Sequence, residues 1–437
     1  MKTRVFFAPV LLAYAIACGG QTVPGAAVPM AHAEAAAIPL TEEEAVAAAL
    51  AENAEIRVAE RRLSAAKAKT TTARSLEDPM LMVRDWGTPL KAPWDVNQAQ
   101  VMVGVQQTFL RKEKRDMRAR VAGDDVELAA SEVESLKQEV AAEVRKACAD
   151  LRRNAEEMTL HDRQAGLLKE ALAIALAQYT TGRVPQVDVL RAQMAVTRLD
   201  EHLIELKEER DQARAAVNVL MGRAAEGRVE IVGAYVGLTE MPSLEELERL
   251  ALENRPELAG LRKGIGKSHD MAQASRLGMK PDFTLAAGYM LMPTGSYSRS
   301  GYMAEVTMNL PWLNRERHEG EAREADAETT VTEAELNARE AEVFLEVRQA
   351  QIGIEAAEKR ARVYKDTLMP QAEAAFKAAT AAYENNRAEF SMLIDSQNLL
   401  LDIETAYYKA SSARDAGMAQ LERAIGTSLS KTPERNR

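Results

Sequence analysis

Cysteine is nearly absent from this chain, with only Cys18 and Cys148 among 437 residues. One of the two sits in the leading segment, so no disulfide framework holds the fold together. Histidine is almost as scarce, at five residues. They are scattered, no pair stands at ligand spacing, and His161 and His202 read as ordinary helix-surface residues. Aromatics make up 5%, and the wealth of Ala, Glu, Arg and Leu around them is the composition of long helices, not of a mixed globular enzyme. Basic charge is short too: the formal net charge is −10, and an acidic chain lacks the surface that phosphate backbones need, which excludes nucleic acid. After the N-terminus no apolar run approaches the roughly 18 to 20 residues of a transmembrane helix, so a membrane role falls to strands.

Motifs of enzyme chemistry are also missing. "GIGKS" from Gly264 lacks the first glycine of a phosphate loop and lies in a helical stretch. "HEGEA" at His318 lacks the second histidine of a zinc protease, and nothing resembles a nucleophile elbow. We expect no catalytic residues, no cofactor and no metal centre. Methionine is abundant, at 19 residues, and Met80, Met82, Met102, Met290, Met292, Met303 and Met308 fall in strand-like segments. Thioethers can ligate Cu(I), but methionine in a strand wall is expected to face lipid or fill gaps.

Lys2 and Arg4 precede the apolar "VFFAPVLLAYAIAC", the layout of an export signal. Two processing points compete. "AIAC" resembles a lipoprotein box, which would remove residues 1–17 and lipidate Cys18. "AHA" at Ala31 to Ala33 suits ordinary signal peptidase, which would remove residues 1–33. Either way the protein leaves the cytoplasm.

What the chain does contain is a repeat. "QYTTGRVPQVDVLRAQ" from Gln178 aligns without a gap with "AYENNRAEFSMLIDSQ" from Ala382, 204 residues later, placing Tyr179 on Tyr383 and Arg183 on Arg387. "VGVQQTFLRKEK" from Val103 pairs with "EVTMNLPWLNRER" at an offset of 203. This predicts an internal duplication. The first repeat, 34–227, has strands near 79–109, a long helix near 111–180 and a return helix at 185–221. The second, 228–425, has strands near 282–312, a long helix near 314–384 and a return helix at 388–425, followed by a flexible tail, 426–437.

The long helices carry seven-residue seams. Val126, Val133 and Val140 are followed, after a four-residue step, by Val144, Leu151, Met158, Ala165, Leu172 and Tyr179. Val343 is followed in the same way by Val347, Ile354, Ala361, Leu368, Ala375 and Ala382. Sevens give a left-handed supercoil, and the four-residue step is a stutter. Gly182 can take the left-handed conformation past a helix end, and Asn386 is the next-best residue for it. Asp188 and Glu389 lie near helix starts, where the dipole favours negative charge. The strands alternate apolar and polar residues: Val101, Val103, Val105 and Phe109; Phe283, Leu285, Ala287, Tyr289 and Leu291; Tyr302 through Leu310 and Trp312. At about ten residues each they match tilted strands crossing a bilayer, with Trp86, Trp94 and Trp312 as interfacial girdles. Four strands cannot close a barrel, for which about eight is the minimum, and lipid does not tolerate open edges. The chain must therefore oligomerise if these strands enter a membrane.

Taken with the tip residues Gly182, Asp188, Val189, Leu190, Ala192 and Gln193 and the junction "NLPWLNRER", the chain resembles the TolC-type outer-membrane efflux proteins, from "LTEEEAVAAALAENAEI" to "AIGTSL". The second tip departs from that pattern at Asn386, Met392 and Ser396. "DPMLMVRDWGTP" is more similar to the heavy-metal branch. The resemblance implies a mainly α fold with a small β part: a homotrimer with a twelve-stranded barrel in outer-membrane lipid and a long helical periplasmic tunnel. It also implies a periplasmic adaptor and an inner-membrane pump as partners. By the same resemblance, the aperture and adaptor-docking residues are Tyr179, Gly182, Arg183, Asp188, Tyr383, Asn386, Arg387 and Asp395. The competing reading is a periplasmic coiled-coil structural or adaptor protein, which would need many short β-strands that this chain lacks.

Overall fold

The protein, seen in a computed structural model, is described over residues 38–85, 101–233, 241–291, 300–385 and 387–429. Cys18, both expected cleavage points, Trp86, Trp94, Met292 and Asn386 lie outside these residues.

A short β1 (Ile38–Leu40) leads into α1 (Glu42–Glu52) and α2 (Ala54–Arg74), then β2 (Met80–Asp85) and β3 (Val101–Phe109). The helix α3 (Lys112–Thr180) turns back into α4 (Gln186–Leu220). The second series is β4 (Val229–Ile231), α5 (Leu244–Asn254), α6 (Pro256–Leu277), β5 (Phe283–Leu291) and β6 (Ser300–Met308). It ends with α7 (Arg315–Val363), α8 (Met369–Glu384) and α9 (Phe390–Ile425). With 69 residues, α3 is about 100 Å long at about 1.5 Å per residue. β1 and β4 pair in parallel, and β2, β3, β5 and β6 form an antiparallel sheet in that order.

The upper core lies where the short helices cover the long ones. Thr41 and Glu44 form a reciprocal capping box at the start of α1. α1 presents Ala45, Val46 and Ala49 to Val140, Val144, Cys148 and Leu151 of α3. In the second series α5 presents Leu247 and Ala251 to Val343, Val347 and Ile354 of α7. Each return helix ends on a left-handed glycine, Gly222 (φ 69°) and Gly426 (φ 74°). Both are tightly seated: a Cβ on Gly222 would stand 2.4 Å from Glu52 O, and one on Gly426 would stand 2.7 Å from Asn254 O. The chain stays packed past 426, with Leu429 buried.

Three expectations need correction. β6 stops at Met308, and Pro311 opens a 3-10 turn over Pro311–Asn314, so Leu310 and Trp312 are not strand residues. Proline has no N–H for the ladder. Second, toward the tip the buried face of α3 is not the expected apolar seam. Asn154, His161, Leu168 and Ala175 form one buried row of sevens, and Glu157, Gln164 and Ala171 form another. Met158, Ala165 and Leu172 lie half-buried beside them, and Tyr179 is exposed. Third, a π turn at Tyr364–Leu368 separates α7 from α8. Pro370 follows it, and its missing N–H and its ring widen the preceding turn. The extra residue moves the inward row by one, from the expected Ala375 and Ala382 to half-buried Phe376 and buried Tyr383, and Ala375 is exposed. The same residue accounts for the step in the sequence offset from 203 at Ile354 to 204 at Tyr383.

Candidate functional site

Two regions have surfaces that the fold itself does not use: the four-stranded sheet and the helical tip. In the sheet the register puts Leu81 and Val83, Val103 and Val105, Leu285 and Tyr289, and Tyr302 and Val306 on one face. That face is open: Leu81 is 75%, Val306 68% and Tyr302 92% exposed. The nine-residue strands are about 30 Å long at about 3.3 Å per residue, the thickness of a bilayer's hydrocarbon core. The other face carries Arg84, Gln106, Thr108, Thr284, Glu305 and Thr307 by the same register. Five methionines, Met80, Met82, Met102, Met290 and Met303, share this polar face, and only Met308 of the described strand methionines is on the apolar one. Met102 fills a gap: it is fully buried, 3.3 Å from the Cβ position of Gly288.

Across the polar face, Arg84 on one edge strand reaches to within 3.7 Å of the Glu305 carboxylate on the other. Gly104 and Gly288 are paired between them. A Cβ on Gly104 would stand 2.6 Å from Ala287 O, so only glycine allows this approach. At the base of the sheet Lys114 holds Asp282 at 2.6 Å and donates to Lys280 O at 2.7 Å. This fixes the angle at which α3 leaves β3.

At the far end, Gly182 takes φ 71° and Arg183 N donates to Gln178 O at 2.9 Å, ending α3 as expected for a left-handed glycine. The second turn closes with Arg387 N donating to Ala382 O at 2.8 Å. Ala171, Ala175, Val189, Ala192, Tyr383, Phe390 and Leu393 make a small core between the two hairpins. Tyr383 is 4% exposed and meets Phe390 edge-on at 5.3 Å. Its hydroxyl has no partner among the described residues, and burial, with Asp188 nearby, raises its pKa. Of the predicted site residues, the structure thus brings together Asp188 and Tyr383. Tyr179, Arg183 and Arg387 are exposed, with no side-chain partner among the described residues.

Asp395 lines a cleft of about 730 Å³ between the α3–α4 hairpin and α9. The cleft floor was missed from sequence. His161 is fully buried, and its ring lies 4.6 Å from that of His202. These two histidines, expected on separate helix surfaces, therefore form a pair. Burial, then the neighbouring His202, pushes the His161 pKa down to about 4. Beside them Gln397 donates to Gln164 at 3.0 Å, and Asn154 donates to Leu206 O at 2.9 Å. Glu404 is held by Arg163 at 2.6 Å. The signal for the pair was present: residues 161 and 202 are equally far from the turn at 181–182, and equidistant positions face each other across an antiparallel hairpin.

No helix of the described residues is long and apolar enough to cross a membrane. The family model "Outer membrane efflux protein" matches this chain twice, over residues 45–223 and 247–427. The cobalt-zinc-cadmium resistance protein CzcC of Cupriavidus metallidurans is 23% identical over 313 residues, covering 72% of this chain and 74% of that protein. Among solved structures, the outer-membrane channel OprN aligns with a TM-score of 0.74 at 18% identity, covering 88% of this chain and 89% of its own. CusC aligns with a TM-score of 0.74 at 14% identity (89% and 92% covered). VceC of Vibrio cholerae aligns with 0.72 at 17% identity (89% and 96% covered).

Proposed function

This chain belongs to the outer membrane efflux protein family, and from that premise we propose that it is a passive exit duct, carrying small solutes across the periplasm and the outer membrane. One observation carries the reading: a sheet with one exposed apolar face and two edges, β2 and β6, unpaired among the described residues, standing on long helices of which α3 runs about 100 Å. Open edges are not tolerated in lipid, so copies of the chain must supply the missing wall. Three copies give twelve strands, with the polar face of Arg84 and Glu305 toward a water-filled lumen. The two segments matched by the family model support an internal duplication with repeats near 34–227 and 228–425. A duct does no work on its cargo, so energy comes from an inner-membrane pump through a periplasmic adaptor that docks near the tip. The similarity to CzcC favours metal ions as cargo. Export follows cleavage of the N-terminal segment, with Cys18 lipidated or cleavage after Ala33.

Arg183 and Arg387 are the aperture residues in this reading, with Tyr179, Tyr383, Asp188 and Asp395 around them. Their exposed guanidiniums are free to meet neighbouring copies. The protein purified in detergent should scatter light as three chains and conduct in a planar bilayer; a monomer without conductance overturns the duct. Arg387→Ser should raise single-channel conductance, and an unchanged value removes Arg387 as a latch. Deleting the gene in its host should increase sensitivity to cobalt, zinc or cadmium; unchanged sensitivity to all three overturns the metal cargo and leaves the duct intact.

A further inference from the structure

The paired histidines are not explained by packing. Both ring nitrogens of His161 are buried and without a hydrogen-bond partner among the described residues, although a neutral imidazole has one N–H to donate and one lone pair to fill. Buried polar groups are nearly always satisfied, so an orphaned ring on a cleft floor signals a missing ligand. His202 supplies the second half of the argument. Its Nδ1 lies 2.9 Å from Glu205 Oε2, the carboxylate–imidazole arrangement that orients a metal-ligating histidine and leaves its Nε2 lone pair available. The two rings are in contact, tilted by 55°, on adjacent antiparallel helices about 30 Å from the turn. The cleft they share is balanced in charge: Glu201, Asp395 and Asp402 offset Arg191, Arg198 and Lys409. A dication there is not opposed by a net positive wall.

We propose that His161 and His202 form a two-imidazole site for a borderline divalent transition cation of the Zn2+ type, with water in the remaining positions. Imidazole suits such ions, whereas carboxylate and carbonyl oxygens suit Mg2+ and Ca2+. Among the described residues no set of three His, Cys, Asp or Glu side chains converges, so the site is open and binds more weakly than a closed structural zinc site. A bound ion would tie α3 to α4 facing α9, clamping one hairpin of the tip half. The inference does not depend on what the duct carries.

The test uses the tag-free, full-length protein in detergent with ZnCl2 as the probe. Isothermal titration should give one Zn2+ per chain. His202→Gln and His161→Gln should each weaken it by at least about tenfold, with circular dichroism and scattering mass unchanged. Stoichiometric binding that survives both substitutions, or no saturable binding at all, overturns the site. Should His161→Gln fail to fold, the wild-type protein decides alone. Zn2+ must protect His202 from diethyl pyrocarbonate, and equal modification with and without Zn2+ overturns the proposal.

Discussion

The helix α3 passes through two surroundings. Near the short helices it buries Val133, Val140, Val144, Cys148 and Leu151, and α1 covers the last four of these with alanine and valine. Beyond Leu151 the same helix interleaves buried Asn154, Glu157, His161 and Gln164 with Leu160, Leu168, Ala171 and Ala175. Apolar contact is non-directional, and separating it costs in proportion to the apolar area returned to water. A hydrogen bond in a half-wet cleft exchanges for water at a net cost of only about 0.5–1.5 kcal/mol. The upper half is therefore built to stay, and the tip half to rearrange cheaply.

The largest effect expected from this contrast is in the upper core. Leu247 is fully buried among Val343, Val347 and Ile354, and Leu247→Ala should cost about 2–5 kcal/mol, read as a lowered denaturant midpoint in detergent. A loss below about 1 kcal/mol would mean that the short helices are ornaments and the division is wrong, because large-to-small core changes cost more than that. In the tip half, Gln164→Ala strands Gln397 (4% exposed) and should cost about 1–3 kcal/mol, whereas Gln164→Leu with Gln397→Leu should be near neutral. If the double leucine variant also conducts less readily, the polar pair is there for movement and not for stability.

Much of this was legible locally. Period two in Val101–Phe109 and Phe283–Leu291, sevens in Val133–Leu151, and the glycine at 182 each name an element from its own residues. What failed depended on partners elsewhere in the chain. Counting apolar residues led past Leu151 to Met158 and Ala165, because nothing in "NAEEMTLHDRQ" reveals that Leu206 O and Gln397 wait for Asn154 and Gln164. The one-residue slip at Phe376 and Tyr383 had two sequence signals, Pro370 and the step in offset, and only the backbone joins them. Of the candidate site, the turns and the hairpin pairing were readable and the cleft as a whole was not, since α9, far along the chain, completes its wall.

Cys148 gives a reporter for the upper half alone. Burial, and then the nearby Glu42, pushes its thiol up from 9.0 to about 12. The folded state thus keeps its proton where the unfolded chain has lost it, so stability falls as pH rises from 9.0 toward about 12 and is unaffected below that window. At neutral pH iodoacetamide should label Cys148 only on unfolding of the upper half, long after a protease has nicked the tip turns. Simultaneous labelling and nicking would show one cooperative unit where two are expected.

The smallest effect is the sharpest test of the tip. Tyr383 packs its ring against Phe390 but leaves its hydroxyl buried without a partner among the described residues. Removing an unpaired buried hydroxyl relieves a desolvation cost, so Tyr383→Phe should leave stability unchanged or raise it by a few tenths of a kcal/mol. If Tyr383→Phe instead destabilises the assembled protein by more than about 1 kcal/mol, the value of a satisfied hydrogen bond, the hydroxyl has found an acceptor on a neighbouring copy. The tip half would then be latched between copies as well as within them, and its cheap rearrangement would need that latch released first.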